Sequence, residues 1–312
     1  MLKRSRVVLL FGVAVAISLI ISACGSSSTG SGSTPTPGAA ASTLGTPGSY
    51  NCISGSTTAS GSTALAPLVK AVAQKYEAKC SGATITVNLG GSKTGLANVE
   101  AGSVDIGNSD VPANSSTQSD LVDHQVAVVV FGIIVNKDVT VPNITTAQIK
   151  DIYSGKVTNW SQVGGPSLPI VVVSRPASSG TRATFQKYIL GGPETVKGPS
   201  SLTTDSTGTV VTNVAQTNGA IGYAATGPAK GNSNVSLLTV DGNAPTTENA
   251  KTNTYKFWNI EHMYTKGQPK PLAQALIDYM TSADGKSVAA TQDYVAITDM
   301  SPAAITAHNA VS

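Results

Sequence analysis

The stretch TITVNLGGSKTGLANVEAGSVDIGNSD, residues 84–110, carries the reading of the fold. Thr84 to Leu89 alternates β-formers at the two-residue period of a strand and stops at Gly90-Gly91. Ser92 is then placed to cap a helix through Glu100. Val104-Asp105-Ile106-Gly107 returns to strand character and leads into Asn108-Ser109-Asp110. Strand, glycine turn, helix, strand is the unit from which open α/β sheets are built.

The alternation extends in both directions. Upstream, a strand near Cys52–Thr57 precedes a helix over Thr63–Ala78, with Leu65, Leu68, Val69, Val72 and Tyr76 on one face. Downstream, Gln125 to Val135 is an apolar run rich in Val and Ile, which reads as a buried strand. Further helices are expected over Thr145–Tyr153, Thr181–Leu190, Val210–Gln216 and Pro271–Met280, and strands over Pro169–Val173 and Ala220–Tyr223. No internal repeat is visible. The pattern predicts two α/β lobes, each an open sheet flanked by helices, with a cleft between them.

The N-terminal residues point to export. Lys3, Arg4 and Arg6 precede an apolar run from Val7 to Ile21 broken only by Ser18, too short to span a bilayer comfortably. It ends in Ile21-Ser22-Ala23-Cys24, which resembles a bacterial lipobox. Residues 1–23 are therefore expected to be a signal peptide and Cys24 the lipidated residue. Residues 24–50 are almost entirely Ser, Thr, Gly, Pro and Ala, a composition that buries too little apolar surface to fold and suits a flexible tether. With the three leader cations set aside, 17 basic residues face 17 acidic ones. That balance argues against a nucleic-acid binder, which needs a basic stripe. Cys52 and Cys80 flank one strand–helix unit and could form a disulfide in an oxidising compartment. No CxxC or Cys/His spacing suggests a metal, and no cofactor is expected.

Three loops rich in Gly, Ser and Thr each open a helix: Gly61-Ser62-Thr63, Gly90 to Gly95, and Ser178-Ser179-Gly180-Thr181. Backbone amides at helix N-termini and nearby hydroxyls suit anionic oxygens, although each loop alone also fits an ordinary helix cap. Arg175, four residues before Ser179, can add a bidentate fork. Asp110 is the unexpected member, because a carboxylate repels an anion unless the anion carries a proton. Phosphate keeps a proton near neutral pH and sulfate does not, so Asp110 would accept a bond from the first and oppose the second.

These residues resemble the phosphate-binding proteins of bacterial ABC phosphate importers, which have a two-lobed periplasmic-binding-protein fold of type II. The likeness rests on Gly61-Ser62-Thr63, on Ser92 to Asp110, on Arg175 to Arg182, on Ile152 to Lys156 with Asn159-Trp160, and on Gly219 to Tyr223. It implies that Ser62, Thr63, Ala64, Ser92 and Asp110 grip inorganic phosphate from one lobe, and Arg175, Ser179, Gly180 and Thr181 from the other. It further implies one lobe from residues 51–130 and 257–312 and a second from 131–256, with crossings near Phe131–Asn136 and Thr254–Trp258. The expected protein is a monomeric extracytoplasmic lipoprotein that hands phosphate to permease subunits. Two departures stand out: Ala64 replaces a larger aromatic, and Pro176-Ala177-Ser178 lacks an acidic residue to pair with Arg175.

Rival readings are a sulfate or molybdate binder, a phosphate-sensing surface lipoprotein, and an enzyme. The chain has no Gly-x-Ser-x-Gly elbow, and its three histidines, His124, His262 and His308, suit surface or packing roles. A binding protein without catalysis is expected.

Overall fold

The computed structural model describes residues 43–44, 50–195, 201–204 and 206–311. These fall within the compact unit Ala40–Ser312. The expected signal peptide, the lipidated Cys24 and nearly all of the tether lie outside the described residues.

The elements that position the site are β1 (Gly55–Gly61), α1 (Ala66–Lys79), β2 (Ala83–Leu89), α2 (Ser92–Glu100), β3 (Ile106–Ser109) and β4 (Leu121–Asn136). Then come β5 (Val171–Ser174), α3 (Gly180–Phe185), β6 (Ser201–Thr203), α4 (Thr207–Gln216) and β7 (Ala220–Ala225). The chain closes with β8 (Trp258–Lys266), α5 (Pro271–Thr281), β9 (Tyr294–Val295) and α6 (Pro302–Asn309). The strands join in the order β2-β1-β3-β8-β4-β7-β5-β6. β1 is parallel to β2 and β3, as strand–helix–strand crossovers require, and β8 enters antiparallel between β3 and β4.

β4 is the spine. Its residues Leu121–Val130 pair with β8, and Phe131–Val135 pair with β7. The two halves of the sheet therefore join along β4 at Val130-Phe131. The Phe131 amide donates to the Phe257 carbonyl at 3.0 Å, and the two rings lie 5.1 Å apart. Phe185 and Tyr223 of the second half stack at 4.2 Å beside them.

Local chemistry moved several boundaries. β4 begins four residues before the apolar run because Leu121 to Gln125 finds partners on β8. α1 starts at Ala66, since the Ser62 hydroxyl accepts from the Ala64 and Leu65 amides and holds the preceding residues in a turn. Ser92 does not cap α2. Gly91 takes that place at φ +83°, and the Ser92 hydroxyl accepts from the Asp110 amide instead. The expected helix over Thr181–Leu190 begins at Gly180 and changes to a π-helical turn at Gln186–Leu190. Close helix–strand packing explains two glycines: a Cβ on Gly95 or Gly107 would come within 2.6 Å of backbone oxygen.

Cys52 and Cys80 form a disulfide between residues 28 apart, with Cα atoms 5.0 Å apart. Closing such a loop restricts the unfolded chain by roughly 3–4 kcal/mol in the chain-entropy picture.

α6 docks through His308, whose ring lies between Tyr188 at 3.8 Å and Trp258 at 3.6 Å. Burial, and then the nearby Lys187 and Lys256 charges, push its pKa down from 6.5 to about 3. The folded state thus holds His308 neutral, while the unfolded chain takes up a proton first. Stability from this group is complete above pH 6.5 and should fall by about 1.4 kcal/mol per pH unit as pH drops from 6.5 toward 3. Denaturant titrations at several acidic pH values should show this slope in the parent and a shallower one in His308→Phe.

Candidate functional site

Two sets of loops meet where β1 and β3 end on one side and β5 ends on the other. Ser62, Thr63 and Ala64 follow β1, Ser92 opens α2, and Asp110 follows β3. Arg175 follows β5, and Ser179 to Thr181 open α3. All nine are buried.

The Arg175 guanidinium donates from Nη2 to Thr63 Oγ1 at 2.9 Å and from Nη1 to Thr207 Oγ1 at 3.5 Å. Thr207 also sends its amide to Thr63 Oγ1 at 3.1 Å. Asp110 is the second junction. Its Oδ1 accepts from the Ser62 hydroxyl, and its Oδ2 accepts from Thr181 Oγ1 at 2.9 Å. The Asp110 amide donates to Ser92 Oγ at 3.0 Å, and its carbonyl accepts from Asn259 Nδ2 at 2.6 Å. The Lys93 amide donates to the Ser178 carbonyl at 3.1 Å, while the Lys93 side chain stays exposed. Gly180 allows the closest approach, lying against Ser92 and Asp110. The two halves thus touch through hydroxyls, one guanidinium and one carboxylate.

Two expected contributors are committed locally. The Ala64 amide donates to Ser62 Oγ at 3.1 Å, and its carbonyl accepts from the Tyr294 hydroxyl. The Ser179 hydroxyl caps α3 by accepting from the Arg182 amide at 3.2 Å. The separate pocket of about 460 Å³ lined by Val111, Thr184, Lys187, Asn259 and His262 contains none of the nine.

Supporting residues escaped sequence reading. Arg182 Nη1 donates to the Arg175 carbonyl at 2.6 Å, fixing the end of β5. Buried Glu194 receives the Ser174 and Tyr223 hydroxyls and lies 3.4 Å from Arg182 Nε. Burial, followed by the Glu194 charge, raises the Tyr223 hydroxyl well above its ordinary value and keeps it a donor. This network steadies the Arg175 loop, whose own Pro176-Ala177-Ser178 has no acid. Thr207, Asn259 and Glu261 were also missed. Asn259 and Glu261 alternate with Trp258 and Ile260 at the start of β8, a sequence signal for polar groups on one face of a strand.

A family model described as a PBP superfamily domain matches residues 34–284. The phosphate-binding protein PstS of Bacillus subtilis (strain 168) is 45% identical over 251 residues, covering 79% of this chain and 82% of that protein. The chain belongs to the phosphate-binding proteins of the PBP superfamily. A phosphate ABC transporter substrate-binding protein from Clostridium perfringens, solved with bound phosphate, superposes with a TM-score of 0.73 at 31% identity, covering 78% of this chain and 100% of that one. Alkaline phosphatase L of Pseudomonas aeruginosa is 34% identical over 132 residues, which is 36% of each chain. Membership accounts for the two-part α/β architecture and for the order of the loops along the chain.

The apposition of the halves has a steric signature. A Cβ at position 180 would meet Ser92 Oγ at 2.2 Å and Asp110 Cβ at 2.9 Å. Overpacking of this kind costs about 1–3 kcal/mol, here set against closure alone. Gly180→Ala is expected to melt like the parent but to show a larger radius of gyration by small-angle scattering. An equal radius would mean that the halves are not held by this contact.

Proposed function

We propose that this chain binds inorganic phosphate between two lobes on the outer side of the cell membrane and delivers it to the permease of an ABC importer. One observation carries the reading: Asp110, a buried carboxylate, stands among hydroxyls and the Arg175 guanidinium where an anion would be gripped. An anion meets a carboxylate favourably only through a proton of its own. Phosphate has one to give at neutral pH, whereas sulfate and molybdate would set acceptor against acceptor, an unpaired buried contact that discriminates strongly. The names of the relatives agree with this ligand.

The lobes are assigned to residues 51–130 with 257–312, and to 131–256. The change of partner along β4 at Val130-Phe131 supports that division. Phosphate would shift an open–closed equilibrium, and the closed form would be what the permease recognises. Thr63, Ser92 and Asp110 act from the first lobe, with Ser62 and Ala64 shaping that loop. Arg175 and Thr181 act from the second, with Ser179 and Gly180 forming the turn. Lipidation at Cys24 would hold a monomer at the membrane through the tether. Among the described residues no helix is long and apolar enough to cross a membrane. Recognition without catalysis fits a cluster in which the buried hydroxyls are spent on Asp110, Arg175 or helix caps.

Calorimetric titration with phosphate, sulfate and molybdate tests the ligand. Phosphate is expected to bind and the other two to bind far more weakly; tight sulfate binding with none for phosphate would sink the proposal. p-Nitrophenyl phosphate should not be hydrolysed.

Two variants probe the roles within the site. Arg175→Ala should retain the fold and lose at least tenfold in phosphate affinity, since each charge-assisted bond contributes about 1.5–3 kcal/mol. Asp110→Asn should narrow the gap between phosphate and sulfate, because an amide can turn a donor to either. A gap that stays as wide would remove Asp110 as the discriminator.

A further inference from the structure

Glu261 is a buried titratable group that the phosphate reading leaves unused. It is fully buried in β8, where the ladder to β4 slips by one residue between Glu261 and His262. On the other edge of β8, His262 pairs with Ser109, and the same register continued by one residue sets Glu261 beside Asp110. Its neighbour on β4 is Ala127, which brings no charge. Among the described residues no donor reaches either Glu261 oxygen. The titratable groups that face it are the Asp110 carboxyl, from the end of β3, and the Tyr294 phenol of β9. The Tyr294 hydroxyl is already given to the Ala64 carbonyl. Further along β8 and β4, His262 bonds to Asp123 at 2.8 Å and His124 to Thr265 Oγ1 at 3.1 Å.

An ionised Glu261 would place a second dehydrated negative charge against Asp110, with no donor for either oxygen. Burial, and after it the Asp110 charge, holds the Glu261 carboxyl well above the usual carboxylate range. We infer that Glu261 is a neutral carboxylic acid that donates a hydrogen bond to Asp110, and that it serves as a positioning residue for the anion site. The inference rests on the phosphate reading for its ligand. A carboxylate offers about four lone-pair sites. On Asp110, Ser62 takes one and Thr181 another. Glu261 takes the third, and the ligand's own proton meets the last. The pair then carries a single negative charge, and Asp110 is oriented by three protein donors before the ligand's proton reaches it.

The test compares the full chain with Glu261→Gln and Glu261→Leu, each checked by circular dichroism and thermal melting. Infrared spectra at neutral pH, without phosphate, are expected to show a protonated-carboxyl carbonyl band that Glu261→Gln lacks. In titrations with inorganic phosphate, Glu261→Gln, which keeps a neutral donor, should stay within about threefold of the parent, and Glu261→Leu should lose roughly tenfold or more. Towards alkaline pH the parent should weaken relative to Glu261→Gln, since only the parent gains a second negative charge. Phosphate's own titration is common to both and cancels in the ratio. A parent without the carbonyl band, or an affinity ratio flat with pH, overturns the inference. If none of the three proteins binds phosphate, the phosphate reading fails, and the carbonyl band still decides the state of Glu261.

Discussion

A carboxylate buried among hydroxyls, Asp110, is the constraint on which the rest of this structure depends. Asp110 is only 1% exposed, so its lone pairs need protein or ligand donors. Ser62 supplies one from the loop after β1 and Thr181 another from the start of α3. The backbone of Asp110 is pinned as well, by Ser92 through its amide and by Asn259 through its carbonyl. Removing any of these partners would leave a buried donor or acceptor unpaired, a penalty of about 1–3 kcal/mol for a neutral group and more for a charged one. One residue, through its side chain and its backbone, thus ties together the loop after β1 with α2, α3 and β8.

The same demand explains why the halves meet as they do. Arg175 and Thr181 come from the second half and reach Thr63 and Asp110 of the first. These are polar contacts at short range, strong when dry and readily exchanged for a ligand's oxygens. The apolar contacts that join the halves lie instead along β4, around Phe131, Phe257, Phe185 and Tyr223. Continuous packing at the spine with polar contacts at the mouth is the arrangement that permits closure without loss of either core.

Support for the site lies one layer behind it. Arg182 and Glu194 hold the strand end that carries Arg175, and Glu261 stands behind Asp110. None of these adjoins its beneficiary closely in sequence: Arg182 is seven residues from Arg175, and Glu261 lies on β8, far along the chain from Asp110 at the end of β3. Their effect comes from strand register, which sets a residue of β8 beside one of β3.

Much of the architecture could be read from local chemistry. Alternating β-formers, glycine turns and amphipathic helices placed α2 and β2 each to within one residue, because those signals act over a few neighbouring residues. Hydroxyl-rich turns and an arginine four residues before Ser179 marked the candidate site for the same reason. What local chemistry could not reveal was which partner each hydroxyl takes. Ser92 has the look of a helix cap, yet it serves Asp110, 18 residues away, since β3 ends beside it. Thr207, Asn259 and Glu261 belong to the cluster only because β8 runs between β3 and β4 and α4 starts beside Thr63. Pairings of that range arise when the whole sheet forms, and a carboxyl's partners are a property of the assembled sheet, not of its neighbours along the chain.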